Sequence, residues 1–137
     1  MKMVSNSVND TMNIAKDFAK TLRGGETILL NGDLGAGKTT FTQFLLKELG
    51  VKDIVASPTF AILKSYEGKF VFHHFDTYRI TTEEAIEAGF DEVLSEKTSV
   101  KIIEWSETIS ELLPDQKVII NITALNENKR EIEIIYE

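Results

Sequence analysis

A chain of 137 residues with a formal net charge of −7 has room for one domain with its own core, and residues 1–137 are read as that single domain. The acidic balance, with an isoelectric point near 4.9, excludes a broad basic surface for gripping nucleic acid. The absence of cysteine excludes thiol catalysis, disulfides and Cys-based metal sites.

The first element in chain order is an amphipathic helix over residues 7–22, with Ser7 as its cap, Asp10 three residues on, and Ile14, Ala15, Phe18 and Leu22 as its apolar stripe. Gly24-Gly25 stops it and leads to an apolar strand, Thr27 to Leu30. After the glycine-rich stretch Gly32–Thr40, a second helix places Phe41, Phe44, Leu45 and Leu49 on one face and ends at Gly50. Pro58 forces Ser57 towards extended geometry, so Ile54–Phe60 is a loop feeding a strand. Phe60–Tyr66 and Lys69–Phe75 read as a hairpin about Glu67-Gly68. A short helix follows Thr81, with Glu83 and Glu84 in its first turn, and then a strand over Ser99–Glu104. Ser106–Leu113 is a brief helix stopped by Pro114, and Val118–Thr123 with Glu131–Tyr136 forms a terminal hairpin. The expected fold is α/β: a three-layer P-loop NTPase fold, with a mixed central sheet flanked by helices and carrying β-hairpins. No apolar run reaches the roughly 20 residues of a membrane span. Met1–Asn6 lacks a secretory stretch, so a cytoplasmic location is expected.

The chemistry is concentrated in Gly32-Asp33-Leu34-Gly35-Ala36-Gly37-Lys38-Thr39-Thr40, which fits G-x-x-x-x-G-K-[ST] between a strand and a helix. Polyphosphate binding needs backbone N–H groups that converge on an anion, and glycines let the chain curl that closely. The helix start behind the loop adds the positive end of its dipole. Lys38 can reach the terminal phosphates and Thr39 is placed for magnesium. On this reading Lys38 faces solvent or ligand, and its removal leaves the fold intact.

A phosphate loop needs carboxylates beyond it. Asp76 follows Phe70–Phe75 and Glu104 follows Val100–Ile103, each at the end of an apolar run. Thr59, behind Pro58, stands where switch NTPases keep a γ-phosphate-sensing threonine. His73 and His74 point to opposite faces of a strand, so a shared metal site is not expected, and packing or surface placement is.

The motifs Gly32–Thr40, Ser57-Pro58-Thr59-Phe60, His74-Phe75-Asp76-Thr77-Tyr78-Arg79 and Ile103-Glu104-Trp105-Ser106-Glu107, in this order, resemble those of the TsaE family of small bacterial ATPases. The likeness runs from the first helix to the terminal hairpin. It implies ATP hydrolysis in support of the threonylcarbamoyl modification of the tRNA adenosine beside the anticodon. Family members act with TsaB and the transferase TsaD, on threonylcarbamoyl-adenylate made by TsaC, and any tRNA contact is expected to be indirect. By the same resemblance Asp33, Gly35, Ala36, Gly37, Lys38, Thr39 and Thr40 hold ATP, with Thr11 near the adenine. Thr39 and Glu104 hold Mg2+, Asp76 supports hydrolysis, and Thr59, Arg79 and Trp105 belong to switch-like segments. Thr77, at a variable place, and Ser106, where some members have proline, touch none of these roles.

Two other readings share the loop. A small-molecule kinase needs an arginine-rich lid, and the chain has only Arg23, Arg79 and Arg130, of which Arg79 alone lies near a motif. A GTPase needs a guanine-reading Asn-Lys-x-Asp, and Asn128-Lys129-Arg130-Glu131 carries Glu131 in place of the aspartate, inside a hairpin. A binding module with incidental hydrolysis is the remaining alternative, separable by whether TsaB–TsaD speeds hydrolysis.

Overall fold

Residues 1–33, 35–55 and 63–137 are described by a computed structural model. Its elements in chain order are β1 (Lys2–Ser5), α1 (Val8–Ala19), β2 (Thr27–Asn31), α2 (Lys38–Glu48), β3 (Leu63–Glu67), β4 (Val71–Asp76), α3 (Thr82–Glu87), α4 (Phe90–Leu94) and β5 (Val100–Glu104). A 3-10 helix (Ser106–Leu112), β6 (Val118–Ala124) and β7 (Arg130–Tyr136) complete it. The described strands form a seven-stranded sheet in the order β1-β7-β6-β2-β5-β4-β3. The four central strands, β6, β2, β5 and β4, run parallel, and antiparallel hairpin partners extend both sides. This is the mixed α/β sheet expected from the alternation of apolar runs and helical patterns.

Side-chain parity along the strands builds the three layers. Ile28, Leu30, Phe72, Val100, Ile102 and Ile120 face α1 and α2, where Ala15, Phe18, Phe41, Leu45 and Leu46 meet them. Leu29, Phe75, Ile103 and Ile119 face the other way, onto Ala85 of α3, Phe90 and Leu94 of α4, and Ile109 of the 3-10 helix. Burying apolar area on both faces is worth roughly 25 cal/mol per Å2. It explains why β2 and β5 are buried along nearly their whole length.

The local signals act as their chemistry requires. Ser7 Oγ accepts from the Asp10 N–H at 3.1 Å, and the Asp10 carboxylate reaches back to the Asn6 N–H at 2.9 Å. Thr81 and Glu84 form a reciprocal capping box at α3. Two elements differ from the sequence reading. Helix α1 stops at Ala19, where Thr21 Oγ1 donates to the Phe18 carbonyl, although Leu22 still packs into the core. The Ser106–Leu112 segment is 3-10 in form, broken at Ile109 with φ −122° and ψ 27°. The β3–β4 hairpin is present, but residues 60–62 of its first run lie outside the described residues.

Two elements were not read from the sequence. β1 is four residues long and gains its conformation from pairing with β7, Lys2 opposite Glu133. α4 spans five residues, held by Phe90 and Leu94 one turn apart in the second core. At the opposite end of the sheet from the glycine loop, the buried Lys101 ammonium donates to the carbonyls of Gly25, Glu96 and Ser99. Burial pushes its pKa below the ordinary lysine value.

Candidate functional site

Parallel pairing brings the C-terminal ends of β2, β4 and β5 side by side, the place where open α/β sheets bind ligands. Leu30 is in register with Glu104, and Glu104 with Asp76. Glycine is required at two points of the loop after β2. At Gly32 an added Cβ would lie 2.6 Å from the Ile122 carbonyl oxygen, and Gly37 has φ +108° immediately before α2. The Ala36 N–H closes a turn on the Asp33 carbonyl at 2.9 Å. Gly37 caps α2 without a side chain, so the first-turn N–H groups of Lys38, Thr39 and Thr40 have no side-chain cap. Such groups, with the helix dipole behind them, favour an anion.

Lys38, read as facing solvent or ligand, is 8 % exposed and so does not face solvent. Its ammonium lies 3.6 Å from Glu104 Oε1 and 4.5 Å above the Trp105 ring. Glu104 is itself buried, and its Oε2 accepts a hydrogen bond from His74 Nε2 at 2.7 Å. Trp105 belongs to neither core cluster; it stacks on Tyr78, ring centroids 5.0 Å apart, and the Arg79 guanidinium lies 5.0 Å over Tyr78. Lys38, Trp105, Tyr78 and Arg79 thus form one cation–aromatic ladder.

Trp105 (φ +61°) and Arg79 (φ +63°) are the non-glycine residues with positive φ among the described residues. Such conformations persist only where surrounding contacts fix them. Here Thr77 does so. Its N–H and Oγ1 both reach the Glu104 carbonyl at 3.1 Å, and Oγ1 also donates to the Trp105 carbonyl at 2.7 Å. Thr77, read as outside every role, is therefore the fully buried brace of the Glu104–Trp105 corner.

The other expected residues divide as follows. Gly35, Ala36, Gly37, Thr39 and Thr40 stand in the loop and first helical turn, and Asp33 is exposed at the loop's start. Asp76 ends β4 beside Glu104, its Oδ1 accepting from the Tyr78 N–H at 3.0 Å. Thr11 lines a cleft next to the loop with Ala36, Gly37 and Thr40, while its hydroxyl is shared with Ser5 Oγ at 2.7 Å. Arg79 is exposed and rests on Tyr78. Thr59 lies outside the described residues.

Two site residues escaped the sequence reading. Arg130, taken as a hairpin residue remote from any motif, donates Nε to the Ala36 carbonyl at 2.9 Å and lines the Thr11 cleft with Glu127 and Asn128. Only the β2–β6–β7 pairing brings it there, 94 positions along the chain from its acceptor. The histidine pair was read as packing or surface placement, and His74 is buried and touches Glu104; its place at the head of His74-Phe75-Asp76 was the signal available.

The donor set suits magnesium. Among the described residues no cluster of three His, Cys, Asp or Glu side chains could hold an ion alone. Magnesium keeps several waters and takes one or two protein oxygens together with substrate phosphates, which is what a hydroxyl at Thr39 and a carboxylate at Glu104 offer beside a phosphate loop.

Sheet, glycine loop and uncapped helix start define the class: P-loop α/β proteins. A sequence model of the TsaE family, described as "Threonylcarbamoyl adenosine biosynthesis protein TsaE", matches residues 5–132. A Rickettsia prowazekii protein named "tRNA threonylcarbamoyladenosine biosynthesis protein TsaE" is 44% identical over 91% of this chain and 88% of its own length. The Bacillus subtilis protein of the same name is 40% identical over 90% of this chain and 77% of its own. The crystal structure of Bacillus subtilis YdiB superposes with a TM-score of 0.80 at 35% identity, covering 96% of this chain and 82% of that one. The chain belongs to the TsaE family.

Proposed function

We propose that this protein is a magnesium-dependent ATPase of tRNA threonylcarbamoyladenosine biosynthesis, hydrolysing ATP to support repeated cycles of a TsaB–TsaD transferase complex. The observation that carries the reading is the Lys38–Glu104 pair at the mouth of the glycine loop, in a chain related over nearly its whole length to proteins named for that pathway. The loop N–H groups and Lys38 receive the β- and γ-phosphates, so Lys38 exchanges the Glu104 carboxylate for phosphate oxygens. Thr39 and Glu104 are the residues that hold Mg2+, which when bound screens the charge that develops on the phosphoryl oxygens. Asp76 orients the attacking water. The Thr11 cleft beside the loop takes the nucleoside.

The nearest arginine to the carboxylates in sequence, Arg79, is exposed on Tyr78, and Arg130 is engaged with the loop backbone. An arginine finger is worth roughly a thousandfold or more in phosphoryl transfer. Slow basal hydrolysis follows, with TsaB–TsaD ordering Arg79 and the Thr59 segment around ATP. The pathway reading requires no direct grip on tRNA, in keeping with the acidic charge, and suits a cytoplasmic protein. Among the described residues no helix is long and apolar enough to cross a membrane. The test is hydrolysis of ATP and of GTP by the purified chain, with and without TsaB–TsaD. ATP preference and stimulation by the complex are expected; indifference to the complex would remove the cycling role.

A further inference from the structure

The buried contact of His74 with Glu104 has no place in the scheme above. Phe72, His74 and Asp76 share one face of β4, and Val100, Ile102 and Glu104 share the same face of β5. His74 is 0 % exposed and occupies a position in line with Phe72 and next to Ile102, where an apolar side chain would pack without desolvating an imidazole. A buried imidazole is retained at low cost only if its N–H is satisfied. Glu104 Oε2, at 2.7 Å, satisfies it, and Nδ1 is buried with no hydrogen-bond partner among the described residues. The carboxylate can only accept, so Nε2 is the donor of this contact. The two oxygens of Glu104 are therefore distinguished: Oε2 is clamped by His74, and Oε1 faces Lys38.

We propose that His74 is the positioning residue of this site, fixing the Glu104 carboxylate so that Oε1 is presented to the metal when Lys38 moves to the phosphates. The proposal rests on the reading of Glu104 as a magnesium ligand. Without the clamp the carboxylate turns about its last torsion and follows Lys38, so the metal loses a preorganised oxygen. Partners that orient a ligand in this way are worth roughly 10- to 100-fold in metal affinity.

The test compares binding of a fluorescent, non-hydrolysable ATP analogue with and without Mg2+, in the wild type, His74→Phe and His74→Gln. The Phe variant fills the space without a donor, and the Gln variant restores an N–H near the position of Nε2. Magnesium should tighten binding to the wild type. In His74→Phe that gain should fall about tenfold or more with metal-free affinity unchanged, and His74→Gln should recover most of it. A full magnesium gain in His74→Phe overturns the proposal, as does equal loss of binding with and without the metal. A wild type whose binding ignores magnesium overturns the reading of Glu104 and the proposal with it, a result distinguishable from the other two. A second measurement requires no variant to fold. Long-range 1H–15N spectra of the wild type should show a proton on Nε2 of His74, and an Nε2 without one refutes the clamp.

Discussion

Lys38→Met isolates what the nucleotide-free site does with its ammonium, because methionine keeps most of the stem and removes the charge. At the observed 3.6 Å from Glu104 Oε1, two unit charges in an effective dielectric of about 20 attract by about 4–5 kcal/mol. Desolvation of both groups takes back much of this, which is why removing one partner, and not the paired state itself, is the costly event at about 3–5 kcal/mol. Glu104 keeps its hydrogen bond from His74, so it is not stranded, and the expected loss falls below that range, at about 2 kcal/mol. The ammonium–Trp105 contact at 4.5 Å lies inside this figure. The assay is urea unfolding without nucleotide for the wild type, Lys38→Met, Glu104→Gln and the double variant. Contacting groups couple by about 0.5–3 kcal/mol, and the cycle should return about 1–2 kcal/mol. A coupling near zero, or a Lys38→Met protein as stable as the wild type, would refute a Lys38 held by Glu104 in the absence of ligand.

Other perturbations separate the remaining roles. Glu104→Gln should move the magnesium dependence of nucleotide binding to higher concentration by about tenfold or more, whereas Glu107→Gln, at an exposed position, should leave it unchanged; a titration of both decides. Arg79→Ala should abolish stimulation of hydrolysis by TsaB–TsaD while leaving ATP titration curves in place, and full stimulation would exclude Arg79 from the chemistry. Arg130→Ala removes the donor that holds the Ala36 carbonyl, so nucleotide affinity should fall about tenfold with little change in melting temperature. Burial lowers the Lys101 pKa, so the folded chain binds fewer protons than the unfolded chain between that value and the ordinary 10.5. Stability from this group therefore rises with pH through that window, and Lys101→Met should erase the rise in urea midpoint.

The elements that carry long periodic signals were legible, and so was the phosphate loop. Strands β2 and β5 are apolar because both faces are covered, and the capping chemistry of Ser7 and Thr81 is local to a few residues. What could not be read depends on contacts between distant segments. β1 is an edge strand whose conformation is set by β7, and a four-residue run shows no period of its own. Arg130 reaches Ala36 only through the order of strands in the sheet. Thr77 looked free because its partners are backbone carbonyls, which leave no mark in a motif. His73 and His74 were read as facing opposite ways, but not which of them faces the site, and it is His74 that meets Glu104. Lys38 was read for its role toward phosphate, and its contacts with Glu104 and Trp105 depend on strand β5, which the loop motif does not show.

The central claim is that ATP turnover at the Lys38–Glu104 site resets a TsaB–TsaD transferase. The most direct measurement counts threonylcarbamoyladenosine formed per TsaB–TsaD complex, with excess tRNA, threonylcarbamoyl-adenylate and ATP, in the presence of the wild type or Lys38→Ala. The account expects many products per complex with the wild-type protein and about one with the variant. Equal, repeated turnover with Lys38→Ala, or with the protein left out, would contradict it.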